Sequence, residues 1–226
     1  MGKSLISINN LNKSFTLQKE ISPLGSRKIN VLQNFNFQSD KPDIIGLIGE
    51  KNSGKTTLFK ILIGCIPPCS GEVNVLGLKP NFRDTKYSTQ IGFVSGLKFT
   101  DSTLPIQESL TLLAYLLNIP EVEFTKRCMK LINDFQFNQL LNIPINQLNN
   151  MEKIQFELIC ALIHNPKIVF IDNIIDDLNS QILEKVKSLI LEYHKKEKTS
   201  FIIFSQNKDK IDNICQNLVQ IKQNEF

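Results

Sequence analysis

The chain has 226 residues, 42% of them hydrophobic and 21% charged, with a formal net charge of +4; this suffices for one large α/β domain, or a core with a smaller subdomain, and excludes a second enzyme domain. The charge is mild and the densest basic run, His194-Lys195-Lys196-Glu197-Lys198, is broken by an acid, so it reads as a solvated helix end rather than a nucleic-acid face. Five scattered cysteines with two histidines fit neither a disulfide framework nor a zinc site. No run nears the ~18 apolar residues of a membrane span, no signal-peptide core opens the chain, and Ile6 breaks a myristoylation pattern after Met1-Gly2, so reduced thiols in the cytoplasm are expected.

Residues 4–15 and 30–37 alternate with the strand period of two, around a polar stretch at 18–28 whose Pro23 and Gly25 mark a loop. Residues 43–48 predict a short buried strand. It runs into Gly49-Glu50-Lys51-Asn52-Ser53-Gly54-Lys55-Thr56, which fills every fixed position of G-x-x-x-x-G-K-[ST], and residues 57–63 carry helical spacing. The combination has a mechanism. Glycines let successive backbone N–H groups wrap phosphates, the lysine reaches the outer phosphate oxygens, the hydroxyl ligates Mg²⁺, and the helix N-terminus faces the anion. An ordinary glycine turn is the alternative, and the strand, loop and helix together favour nucleotide binding over it.

Pro67-Pro68-Cys69-Ser70-Gly71 then marks a turn, and residues 72–76 and 91–94 read as strands. From residue 106 the period becomes helical, over 106–118, 121–135 and 151–164, the first two forming a helical insert. Residues 167–172 are an apolar run ending in Asp172, 181–194 predict a helix, and 200–204 a further buried strand. Strands alternating with helices predict a mainly parallel sheet.

Three segments carry a resemblance: residues 49–57, Gly71-Glu72-Val73-Asn74-Val75-Leu76-Gly77, and the run from Ala161 through Asn165-Pro166-Lys167 to Asp172. In this order they resemble the ATP-binding subunit of an ABC transporter over nearly the whole chain. Residues 92–120, with Leu104-Pro105 and Asn118-Ile119-Pro120, are most similar to export systems whose permeases are separate polypeptides. The resemblance implies an α/β fold: a P-loop NTPase core with a mainly parallel sheet, an N-terminal antiparallel β portion and a helical subdomain. It implies one domain over 1–226, with 1–96 and 159–226 as core and 97–158 as helical subdomain.

ATP and Mg²⁺ are the implied cofactors. Lys55 is expected on the β/γ phosphates, Thr56 on Mg²⁺, and Asp172 on that ion through its water shell. Gly49, Asn52, Ser53, Gly54 and Thr57 are expected around the phosphates. Phe15, in Asn12-Lys13-Ser14-Phe15, is expected against adenine, the alternative being a core phenylalanine; for Asp172 the alternative is a cap on the next turn. Implied partners are a membrane permease and a second cassette, as homodimer or as heterodimer with another ABC ATPase, with no nucleic acid. The chain is then expected in the cytoplasm, peripheral on the inner face of the cell membrane.

The departures fall on hydrolysis. Family members follow the magnesium aspartate with a glutamate that polarises the attacking water; here Asn173 stands there, and its amide cannot take a proton at neutral pH. The family's histidine after the last strand aligns with Gln206, and its glutamine after residues 91–94 with Gly96 or Leu97. The L-S-x-G-Q signature aligns with Leu148-Asn149-Asn150-Met151-Glu152, where Asn149 and Glu152 still make a capping box for the following helix while Met151 and Glu152 spoil a phosphate-facing edge. Asp176-Asp177-Leu178-Asn179 likewise replaces S-G-L-D. Several losses together predict a natural, catalytically degenerate subunit that binds Mg-ATP with weak or no hydrolysis of its own; the alternative is a pseudo-ATPase scaffold or regulatory subunit of a membrane complex. Other P-loop classes fit worse. Asn207-Lys208-Asp209-Lys210 misses the GTPase N-K-x-D by one place, and no arginine-rich kinase lid is evident.

Overall fold

A computed structural model describes residues 4–17, 27–96 and 103–221. In chain order the elements are β1 (Ile6–Leu17), β2 (Arg27–Ser39), β3 (Ile44–Ile48), α1 (Lys55–Leu62), β4 (Ser70–Val75), α2 (Thr85–Ser88), β5 (Ile91–Val94), α3 (Ile106–Leu116), α4 (Glu121–Asp134), α5 (Asn150–Leu162), β6 (Ile168–Asp172), α6 (Ser180–Glu197), β7 (Ser200–Ser205) and β8 (Asn217–Gln220). A parallel sheet has the order β5-β6-β7-β3-β8, and an antiparallel sheet the order β2-β1-β4.

The apolar runs become intelligible once both faces of the parallel sheet are covered, because side chains two apart share a face. Ile45, Leu47, Phe170, Ile202 and Phe204 point into one cluster with α1 and the antiparallel sheet. Ile44, Val169, Ile171, Phe201 and Ile203 point into the other, with buried residues of α3 to α6. Phe59 of α1 is fully buried in the first cluster, edge-on to Phe204 and Phe93 at centroid separations of 5.8 and 6.4 Å. The sheet is thus clamped from both sides, and the loops that leave the ends of β3, β6 and β7 are held at one edge.

The signature segment keeps its structural half. The Glu152 N–H donates to Asn149 Oδ1 at 2.9 Å and the Asn149 N–H to Glu152 Oε2 at 2.8 Å, a complete capping box worth about 1 kcal/mol at the start of α5. At the other end of α5 the helix lies so close to β5 that a Cβ on Gly92 would meet the Ala161 carbonyl oxygen at 2.2 Å. Gly92→Ala is therefore expected to destabilise the chain by about 1–3 kcal/mol, read as a lower midpoint in chemical denaturation.

Some elements differ from the sequence expectation. The first helix starts at Lys55, two residues before the apolar spacing at 57–63, because the helical turn is set by the loop that precedes it. β8 and α2 were not expected from pattern: β8 is four residues with exposed Asn217 and Gln220, and α2 is a single turn capped by Asp84, whose carboxylate accepts from the Lys86 N–H at 2.9 Å. Most of the loop expected at 18–28, residues 18–26, lies outside the described residues. Among the described residues no helix is long and apolar enough to cross a membrane.

Candidate nucleotide site

The loop after β3 is tied down at its first residue, where the Gly49 N–H donates to the Ser205 carbonyl of β7 at 3.2 Å. It closes on itself through the Ser53 N–H to Glu50 carbonyl bond at 3.1 Å. Asn52 at φ 68° and Gly54 at φ 94° then turn the chain through left-handed backbone. Only glycine suits position 54, since a Cβ there would meet Leu32 Cδ2 at 2.8 Å and the Val31 carbonyl oxygen at 2.9 Å. The α1 N-terminus has no side-chain cap and no acid in its first turn. Its first amides are left for an anion, with the positive end of the helix dipole behind them.

Lys55 lies buried in this turn, its ammonium donating to the Gly49 carbonyl at 2.6 Å and the Glu50 carbonyl at 2.8 Å. Burial pulls its pKa below the ordinary lysine value, while Asp176 and, less strongly, Asp172 push it back up. The Ser53 hydroxyl is fully buried with no hydrogen-bond partner. Thr56 is exposed on the first turn of α1 and Thr57 half-buried beside it. An open helix start, a confined ammonium and an orphaned hydroxyl are a chemically coherent fit for a chain of phosphates.

Asp172 closes β6, opposite Phe204 of β7. Its carboxyl is buried, and burial raises its pKa against the opposing effects of the Thr56 hydroxyl, Lys55 and Lys60. Asn173 follows at φ 57°, a left-handed conformation that asparagine tolerates better than most residues. Its Nδ2 donates to Asp172 Oδ1 at 3.0 Å and to Thr56 Oγ1 at 3.4 Å, and its Oδ1 is buried without a partner. The two residues expected around Mg²⁺ thus converge, and a neutral amide bridges them. Their hard oxygen atoms fit that ion; Thr56 directly and Asp172 through water would hold it, and when bound it would supply charge for the phosphate oxygens.

Two carboxylates that the sequence reading did not place in the site organise its surroundings. Asp176, in a 3₁₀ turn over Ile174–Asp177, accepts the Ser205 hydroxyl on Oδ1 and the Gln206 N–H on Oδ2 at 2.7 Å. Lys210 fastens the same turn, donating to the Asp176 carbonyl at 2.5 Å and the Leu178 carbonyl at 2.8 Å. Gln206 keeps an exposed side chain, with its backbone amide committed to Asp176. Glu157 of α5 accepts the Gly96 N–H at 3.0 Å, and burial raises its pKa against the amides of Ser95 and Gly96. Leu97 lies outside the described residues. The only advance signal for Asp176 was its departure from the family's S-G-L-D.

Phe15 is 42% exposed, which removes the reading of it as a core residue. It sits on β1 opposite Ile29, with the Lys13 ammonium 5.2 Å from its ring centroid. Lys13 pairs with Leu32, the residue that packs on Gly54, so the ring lies on the strand that flanks the loop. Base–aromatic stacking is worth about 1–3 kcal/mol. With the ring stacked on the base, Phe15→Ala would weaken ATP binding roughly 5- to 150-fold in a calorimetric titration; an unchanged affinity would show that the ring does not touch the nucleotide. Met151, where the family has glycine, is half-buried against the α-helical cluster, so that edge of α5 carries side-chain bulk instead of open backbone.

The family model for ABC transporters matches residues 32–176. The lipoprotein-releasing system ATP-binding protein LolD 2 of Chlorobium chlorochromatii is 27% identical over 220 residues, covering 91% of this chain and 87% of that protein. The human cholesterol transporter ABCA5 is 26% identical over 174 residues, 76% of this chain but 10% of that much longer protein. Among solved structures, a dimeric bacterial ABC transporter cassette superposes with a TM-score of 0.80 at 20% identity, covering 96% of this chain and 94% of its own. That superposition establishes the fold, and the family match, which takes in the phosphate loop through the acid at the end of β6, establishes descent: the chain belongs to the ABC transporter family as an ATP-binding cassette, a class of subunit that binds Mg-ATP, dimerises and pairs with membrane permeases.

Proposed function

We propose that this cassette holds Mg-ATP and hydrolyses it weakly or not at all, contributing binding energy rather than turnover to a transport complex. The observation that carries the reading is the Asn173 amide spanning Asp172 Oδ1 and Thr56 Oγ1, where a hydrolytic cassette has a carboxylate base. Lys55, with the open amides of α1 and the Ser53 and Thr57 hydroxyls, binds the phosphates; Gly49, Asn52 and Gly54 shape the loop; Phe15 stacks on the base. Thr56 and Asp172 hold the metal. Gln206 donates through its side chain to the terminal phosphate.

In this reading residues 97–158 form the helical subdomain on a core of 1–96 and 159–226. The subunit sits on the inner face of the membrane against a separately encoded permease, dimerised with itself or with another cassette. ATP does work there only through its different affinity for the open and closed dimer. The test is recovery of nucleotide: after hours with the purified chain and Mg²⁺, bound nucleotide extracted and resolved by chromatography is expected to be ATP. Predominant ADP, absent from the Lys55→Ala sample, overturns the reading.

A further inference from the structure

We infer that Asp176 sets the site's preference among nucleotides, its charge lowering affinity for a triphosphate relative to a diphosphate; this rests on the reading of loop 49–57 as the phosphate site. Asp176 is joined to that loop through one corner. Its carboxylate takes the Ser205 hydroxyl and the Gln206 N–H, and the carbonyl of the same Ser205 takes the N–H of Gly49, where the loop begins. Through space its charge reaches Lys55 more strongly than that of Asp172, and it also reaches Asp172 itself. Because it holds the backbone of Gln206, read above as the donor to the terminal phosphate, and the hydroxyl of Ser205, whose carbonyl ties down Gly49, Asp176 stands beside the outer end of the phosphate path.

The substitution at 173 removes one negative charge from this end, and Asp176 returns one three residues later. The replacement is not chemically equivalent. Both Asp176 oxygens already accept hydrogen bonds, from a hydroxyl and from a backbone amide, so the group is held in place beside Ser205 and Gln206 and does not stand at position 173, where the family carries its base. What it contributes is a fixed negative charge. A triphosphate brings its most distal charges to this end and a diphosphate does not, so the repulsion is selective.

The chain provides a clean variant. In Asp176→Asn the carboxamide oxygen still accepts the Gln206 N–H. Its amide donates to the Ser205 hydroxyl, which turns its own proton to the Asn207 carbonyl, already 2.9 Å away. Geometry is kept and charge is lost. Asp176→Ser, uncharged and shorter, is the second variant should the first fold poorly.

The experiment is calorimetric titration of ATP and of ADP, each with Mg²⁺, into wild type, both variants and Lys55→Ala. Asp176→Asn is expected to tighten ATP about tenfold while ADP stays within about twofold, and Asp176→Ser is expected to move the ratio the same way. An unchanged or lower preference for ATP in the variants, with wild type binding both nucleotides and Lys55→Ala binding ATP about a hundredfold more weakly, overturns the role of Asp176 and leaves the site assignment standing. A wild type that binds neither nucleotide overturns both.

Discussion

Lys55→Ala is expected to weaken Mg-ATP binding by about a hundredfold while leaving global stability within about 1 kcal/mol of wild type. The loss follows from removing a charge-assisted donor that faces anionic oxygens in a confined turn, a contact worth about 3 kcal/mol. The fold tolerates it for a separate reason. Burial pulls the Lys55 pKa down, so the unfolded chain holds that proton more firmly than the folded one, and the buried ammonium costs stability wherever it is charged. Stability attached to Lys55 therefore rises with pH from its depressed pKa up to the ordinary lysine value, and Lys55→Ala removes that slope. The variant loses bonds to the Gly49 and Glu50 carbonyls but is also relieved of this cost. Titration calorimetry and denaturation curves on the same preparations check both halves.

Restoring hydrolysis requires several changes together. Asn173→Glu alone is expected to raise turnover by less than about tenfold, although a general base is ordinarily worth ~10²–10⁴. Position 173 has φ 57°, where glutamate carries strain of about 1–2 kcal/mol, and its carboxylate would lie beside Asp172, where burial already disfavours negative charge. Combining it with Gly96→Gln, Met151→Gly, Glu152→Gln and Gln206→His is expected to raise turnover at least ~100-fold over wild type, since residues of one catalytic unit act non-additively. The capping box at α5 survives in this variant, because glutamine at 152 still reaches the Asn149 N–H. Phosphate release by the two variants and wild type, assayed in parallel, decides it. Full recovery from Asn173→Glu alone would show that the other departures are silent.

What was legible in the chain had short-range causes. The phosphate loop is eight consecutive residues with a fixed geometry, and the buried strands β3, β6 and β7 announce themselves as apolar runs because helices or a second sheet cover both their faces. The capping box at Asn149 and Glu152 was readable for the same reason, spanning only three residues. Asp176 and Glu157 were not. The first acts on Ser205 and Gln206, 29 and 30 residues away, and the second on Gly96, 61 residues away, so their partners exist only after the sheet has assembled. β8 escaped notice because an edge strand with two exposed polar ends carries little apolar pattern. Phe15 could be read from its residue type as core or as a stacking platform, and its exposure, which exists only once β1 has folded, speaks against the first alone.

Retention of ATP without turnover is open to a single-turnover experiment. The chain in excess over γ-labelled ATP, with Mg²⁺, is sampled over several hours for bound nucleotide and released phosphate. Labelled ATP is expected to stay protein-bound and intact, with retention about a hundredfold weaker in Lys55→Ala. Rapid release of labelled phosphate by the wild type, abolished in Lys55→Ala, would contradict it.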